Sequence, residues 1–171
     1  MKSLLLLLIA STTMLYACAQ GDKSARPSPP AIAKETLASG AVVSIDYSQP
    51  SIKGRTIGTD LEPKGGQVWR TGANEATVFE VSKAVKVEGK ELPAGKYGLF
   101  TIAGDGEWTI IFNKTWKQWG AFNYKEADDA LRVKVKPGKA AAFSEKMTFT
   151  ISKAGKVSLL WGDIQVDFKV E

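Results

Sequence analysis

The chain has 171 residues, with 23 Lys and Arg against 18 Asp and Glu, and a formal net charge of +5 at pH 7. It has no histidine and one cysteine, which excludes Ser-His-Asp and Cys-His nucleophiles, histidine bases and nearly all zinc, copper and haem sites. The positive excess is mild and no basic run is interleaved with aromatic residues, so we expect no nucleic-acid partner, and we expect no metal and no cofactor.

Residues 1–17 have the layout of a bacterial lipoprotein signal peptide. Lys2 is followed by an unbroken apolar segment, residues 4–10, and then by small and mixed residues up to Cys18. The letters "LYAC" resemble a lipobox, in which the cysteine receives the lipid. We therefore expect Cys18 to anchor the protein in the cell envelope. The alternative is ordinary cleavage at "ACA", before Gln20, which would leave a soluble periplasmic or secreted protein.

Residues 18–37 are rich in Pro, Ser, Ala and charge, and this composition predicts a flexible tether. Residues 38–171 then form one domain, with a length sufficient for a single hydrophobic core. Because no cysteine lies in this part, the core alone must hold the domain together.

Apolar and polar residues alternate in short segments from Val42 to the end of the chain, which predicts strands. The segments, in chain order, are VVSIDY, ATVFEV, AVKVEGKEL, GKYGLFTI, EWTIIFN, LRVKVK, KMTFTIS, KVSLLW and IQVDFKV. Asp105-Gly106 is a strong hairpin-turn signal. Trp108, Ile110 and Phe112 share one face and Ile111 lies on the other, so this strand is predicted to be central.

The pattern predicts an all-β fold, an antiparallel β-sandwich of jelly-roll-like type with eight to ten strands. No long segment has the 3.6-residue period, and only Lys125 to Ala130 is compatible with a short helix.

The first candidate site is the segment "VWRTGANEATVFE". If Trp69 is in the core, Arg70 lies outside and is available to a ligand; if Val68 is in the core, Arg70 is buried and needs an acidic partner such as Glu75. One interpretation is a turn closed by an Arg70–Glu75 pair. The other is a cleft wall in which Trp69, Arg70, Asn74 and Glu75 bind a polar ligand.

The second candidate site is "NKTWKQWGAFNY". Trp116, Trp119 and Tyr124 could form an aromatic platform for a sugar ring, with Asn113 or Asn123 bonding to its hydroxyl groups. The alternative is that these aromatic residues close one end of the sandwich as a minor core.

Paired carboxylates remain possible catalytic groups, because glycoside hydrolysis needs two of them roughly 5 to 10 Å apart. The sequence does not bring any two together, and we assign no catalytic residue. The candidates are Asp46, Glu75, Glu80, Glu107, Asp128 and Asp129.

Several segments resemble, in order, the bacterial envelope family called domain of unknown function 2911. They are DYSQPSIKGRTI, VWRTGANEATVF, LPAGKYGLFTI, WTIIFNK, QWGAFNY and ALRVKV. The resemblance covers about Ser44 to Glu171. It implies a secreted or lipid-anchored β-rich domain and implies no activity.

Taken with the residues, this predicts a lipid-anchored envelope protein that faces the periplasm or the exterior. We expect a non-catalytic binding module for a glycan or peptide ligand. The alternatives are a carboxylate-based hydrolase acting on envelope or extracellular polysaccharide, and a structural or assembly protein.

Overall fold

The computed structural model describes residues 22–171, which contain eleven strands, two 3₁₀ turns and no α-helix. None of these residues forms a helix that could cross a bilayer. The predicted signal peptide and Cys18 lie outside the described residues. The strands are β1 (Pro30–Thr36), β2 (Val42–Ser48), β3 (Val68–Trp69), β4 (Thr77–Val81), β5 (Val85–Val87), β6 (Lys90–Leu92), β7 (Gly95–Ala103), β8 (Trp108–Asn113), β9 (Asp129–Val135), β10 (Pro137–Ile151) and β11 (Lys156–Lys169).

One sheet carries most of the fold, with the strand order β1-β2-β4-β7-β8-β9 and β3 added at β7. Every strand pair in it is antiparallel. Two hairpins, the short β5–β6 and the long β10–β11, are separate two-stranded sheets. The sheets do not close into a barrel, so the predicted all-β, antiparallel β-sandwich is confirmed.

The core lies between the inner face of the main sheet and the β10–β11 hairpin. Phe79 and Phe112 from the sheet meet Phe168 from β11, with ring centroids 6.3 and 6.0 Å from it. Tyr47 on β2 packs edge-on against Phe149 on β10 at 5.0 Å. These aromatic contacts join the two layers, as the alternating pattern of the strands requires.

Strand β8 is central, as predicted, because it pairs with β7 on one side and with β9 on the other. Trp108, Ile110 and Phe112 belong to the main core. Ile111 faces the outer side of the sheet, where it is fully buried in a second small cluster with Phe100. A loop, residues 114–128, supplies Tyr124 and Ala121 to this cluster, so the outer face of the sheet is partly covered.

Strand β11 is continuous where the sequence predicts two strands. The backbone hydrogen bond from Val170 N to Gly155 O, 2.8 Å long, brings the end of β11 back to its start. A straight strand of this length would span about 46 Å, so β11 must bend strongly. Gly162 has φ of +61° and lies in the gap between the two predicted strands, which explains why the pattern divides there.

The tether prediction for residues 18–37 is corrected at its end, because Pro30–Thr36 is strand β1. It pairs with all of β2, from Pro30 opposite Ser48 to Thr36 opposite Val42. The alternation was hidden because the small residues Ala31 and Ala33 face inward while Ile32 is 69% exposed. The short helix predicted at Lys125–Ala130 is a single 3₁₀ turn, Glu126–Asp128.

Candidate functional site

The two segments selected from the sequence meet on the outer face of the main sheet. Glu75 and Trp119 form an antiparallel backbone bridge. On either side of it, Ala76 N donates to Gln118 O at 2.9 Å and Gly120 N donates to Asn74 O at 3.0 Å. The turn before β4 is therefore fastened directly to the aromatic loop, residues 114–128.

A cavity of about 450 Å³ opens beside this junction. Asp46 and Val78, opposite each other on β2 and β4, line its floor. Trp116 and Trp119 line the wall formed by the aromatic loop. The facing wall comes from the N-terminal segment, residues 22–29, through Lys23.

Glu75 is held at the cavity by two cations of the N-terminal segment. Arg26 Nη1 lies 2.8 Å from one carboxylate oxygen and Lys23 Nζ lies 3.1 Å from the other. Burial alone would raise the pKa of Glu75, but hydrogen bonds from its own backbone N–H, Arg26 and Lys23 outweigh it and lower the pKa. Glu75 is therefore ionised at neutral pH, with both oxygens already engaged.

The pKa of Asp46 is shifted in the opposite direction to that of Glu75. Burial raises its pKa; Lys23 and Lys96 oppose this rise, and the charge of Glu75 adds to it. The backbone alternation of β2 sends Ile45 and Tyr47 into the core and Asp46 to the outer face. The cavity thus holds two carboxylates with pKa values moved in opposite directions. Within residues 22–171, no cluster of three or more His, Cys, Asp or Glu side chains could hold a metal ion.

The two indoles of the aromatic loop remain accessible. Trp119 is 55% exposed, and the Arg26 guanidinium lies 6.0 Å from its ring centroid. Trp116 is half-buried, with Lys96 Nζ 5.5 Å from its ring. Both rings line the cavity, and their use as an aromatic platform stays a prediction.

Gln118, between the two tryptophans in sequence, also lines the cavity. Its Nε2 donates to Thr115 O at 2.6 Å, whereas its buried Oε1 has no donor among residues 22–171. A buried amide oxygen without a donor is costly, so this atom destabilises the loop locally.

Asn113 and Tyr124 do not reach the cavity. Asn113 is fully buried: its Nδ2 donates to Lys125 O and to Asp129 Oδ1, and its Oδ1 accepts from Thr115 N. Tyr124 donates to Asp129 Oδ2 at 2.8 Å, and burial together with this hydrogen bond raises its pKa to about 12. These side chains hold the aromatic loop on the sheet, and Asn123 lies exposed on its surface.

The first segment is divided between two places. Trp69 is in the core at 2% exposure, and its Nε1 donates to Gly72 O. Asn74, with φ of +60°, donates from Nδ2 to Ser28 O, which fastens the N-terminal segment. Arg70 faces a different, smaller cavity, and no salt bridge joins it to Glu75. The predicted Arg70–Glu75 pair is wrong, because Glu75 is paired with Lys23 and Arg26.

Sequence reasoning missed the cations of the site. Lys23 and Arg26 fall in the segment predicted as a tether, and Lys96 lies three strands away from β1 in the sheet order. Only the three-dimensional structure brings Lys23 and Arg26 to Glu75 and places Lys96 near Asp46. Asp46 was among the candidate carboxylates, and it occupies an outward-facing position in the alternation of β2.

The fold and the cavity define a β-sandwich domain with an aromatic-walled recess on the outer face of its main sheet. The family model described as protein of unknown function, DUF2911, matches residues 28–170. The chain belongs to this family, and the resemblance drawn from the sequence segments is confirmed. The match starts ahead of β1, which agrees with the correction to the tether. No curated protein and no solved structure matches the chain.

Proposed function

We propose that this protein is a cell-envelope lipoprotein whose β-sandwich binds a saccharide in the 450 Å³ cavity, without catalysis. The observation that carries the proposal is a half-exposed indole, Trp119, beside two carboxylates in one recess. An aromatic face packs against the C–H face of a sugar ring, and carboxylates accept hydrogen bonds from its hydroxyl groups.

The polar groups of the cavity are arranged for such a ligand. Asp46 and Glu75 supply acceptors, and Lys23 supplies a donor. The site is therefore amphipathic, with Trp116, Trp119 and Val78 as its apolar part. A volume of about 450 Å³ is within the usual range of small-ligand sites and accommodates one or two sugar rings.

The envelope location rests on the sequence around Cys18. Lipidation there would place the anchor five positions ahead of Lys23, so the cavity would work close to the membrane surface. Labelling of cells with a clickable fatty acid tests this, since Cys18→Ser removes the label if Cys18 is the lipidated residue.

Trp119→Ala should lower saccharide affinity by about 10- to 100-fold, because it removes the largest apolar surface offered to a sugar ring. The probe is a glycan array that includes peptidoglycan fragments, followed by calorimetry on each binding glycan. Circular dichroism checks that the variant folds.

The matched control is Phe122→Ala, which removes an 86% exposed aromatic from the same loop but outside the cavity. Its affinity should equal that of the wild type. The proposal fails if no glycan binds, if both variants lose affinity equally, or if only peptides bind on a parallel peptide array.

A second candidate function, a glycoside hydrolase, is favoured by one observation: Asp46 and Glu75 line the same cavity. Asp46, with its raised pKa, would protonate the glycosidic oxygen as the bond to C1 breaks. Glu75 would take a proton from the water that adds to C1, giving two shorter saccharides. Because Lys23 and Arg26 hold both oxygens of Glu75, it is a weak base, and we rank binding first.

If hydrolysis occurs, Asp46→Asn should reduce the release of reducing ends by at least about 100-fold. The rate should fall as pH rises through the pKa of Asp46, because the acid loses its proton. It should also fall at low pH as Glu75 becomes protonated. A glycan that binds but releases no reducing ends between pH 3 and pH 8 eliminates the hydrolase and leaves the binding module.

A further inference from the structure

A second cavity, about 200 Å³ in volume, lies on the other side of the turn before β4. Arg70, Arg55 and Glu62 contribute its charged side chains, and Trp69 and Trp161 contribute apolar walls. It shares no lining residue with the larger cavity. Nothing in the proposed saccharide site therefore accounts for it.

Arg70 has no carboxylate partner. Its Nε is buried and has no hydrogen-bond acceptor within residues 22–171. None of the salt bridges of those residues includes it. Residues 1–21 contain no Asp or Glu, so they add no acidic side chain. The charge of Glu62 acts on Arg70 without forming a salt bridge and offsets the cost of burial only in part. A partly buried guanidinium with incomplete charge compensation is stabilised when an anion joins it.

The other charged groups of the cavity are already fixed. Arg55 donates from Nε to Ile52 O at 3.0 Å and from Nη2 to Ser51 O at 2.7 Å. Glu62 accepts from Lys64 N at 2.8 Å and forms no salt bridge with either arginine. Two guanidinium groups against one carboxylate leave a net charge of 2 − 1 = +1 at the cavity. That charge complements a monoanion.

The indole walls limit the polarity and the size of the rest of the ligand. Trp69 Nε1 donates to Gly72 O and Trp161 Nε1 donates to Glu62 O, each at 3.1 Å. With both N–H groups engaged, the indoles offer apolar surface only. At about 30 Å³ for each water-sized group, a volume near 200 Å³ holds about seven heavy atoms.

We propose that this cavity binds a small carboxylate, held at its charged end by Arg70 and packed at its apolar end against Trp69 and Trp161. The planar guanidinium fork matches a carboxylate, which is the geometry that makes such pairs strong. Burial lowers the pKa of Arg70 more than the charge of Glu62 raises it, and a bound carboxylate would offset the remaining cost.

The test is calorimetry of the purified protein with sodium acetate, propionate and benzoate at constant ionic strength. Propionamide and benzamide serve as neutral matched probes, and inorganic phosphate as a second anion. We expect at least one carboxylate to bind with a Kd in the millimolar range or tighter, with no detectable binding of its amide. Arg70→Gln should weaken this binding at least tenfold, whereas Lys134→Gln, which removes an exposed cation of β9 outside both cavities, should leave it unchanged.

Arg70→Gln is expected to fold, because it removes a partly buried charge that forms no salt bridge and retains a long side chain. If it does not fold, the wild type still decides the question. The ¹⁵N resonance of the Arg70 Nε–H group should shift in a saturable way on addition of the binding carboxylate. Binding of phosphate alone, equal binding of acid and amide, or an unperturbed Arg70 resonance would overturn the proposal.

Discussion

Gly155→Ala is expected to lower the free energy of unfolding by about 3–5 kcal/mol. A Cβ at this position would lie 1.8 Å from the carbonyl oxygen of Val170, far inside van der Waals contact. The φ of +87° adds a backbone cost that only glycine avoids. The clash would also break the hydrogen bond from Val170 N to Gly155 O, which holds the end of β11 against its start. Urea unfolding followed by circular dichroism measures the change.

Gly106→Ala is the matched control for this substitution. Its φ of +77° is close to that of Gly155, but no atom lies within 4 Å of the added Cβ. It should therefore cost only the backbone term, about 1–2 kcal/mol. Equal losses for the two variants would show that the bend of β11 does not depend on the close approach at Gly155.

Asn113→Ala is expected to cost about 3 kcal/mol, because it removes the three hydrogen bonds of one fully buried side chain. Lys125 O, Asp129 Oδ1 and Thr115 N would each lose a hydrogen bond. The aromatic loop would then be held less firmly, so saccharide binding should weaken as well. Thermal unfolding and calorimetry with the binding glycan measure the two effects.

Asn123→Ala, ten residues further along the chain, supplies the comparison for Asn113→Ala. Asn123 is exposed on a turn, so its loss should change stability by no more than about 0.5 kcal/mol. The two asparagines are equivalent in the sequence pattern, and only their burial separates them. A large effect at Asn123, or a negligible one at Asn113, would contradict the role given to this network.

The fold was predictable because its strands have one apolar face and one polar face. Val43, Ile45 and Tyr47 are all buried on β2, as the period of two requires, and Ile111 identified β8 as central. The two-residue alternation does not reveal a strand correctly where the inward residues are small, as at Ala31 and Ala33, or where a strand bends, as at Gly162. In both places the deciding factor is tertiary packing, which residue type alone does not encode.

The site was predictable only in part. Trp116, Trp119 and Glu75, which were selected from the sequence, line one recess, and their role in binding stays a prediction. The pairing of Glu75 was not predictable. Two cations, Lys23 and Arg26, lie within reach of Glu75 in three dimensions, and a charged side chain far away in sequence leaves no local signal of its partner. The turn that contains Gly72 and Asn74 separates Arg70 from Glu75.

The N-terminal segment gives the saccharide cavity a wall made of ion pairs rather than of packed apolar side chains. Lys23 and Arg26 are both partly exposed, and such pairs contribute little free energy and weaken in salt. That wall is therefore the mechanically softest part of the recess. A force that pulls on the chain ahead of Asp22 would break the ion pairs of Lys23 and Arg26 before it separated any strand from the sheet. The recess would therefore widen before the domain unfolded.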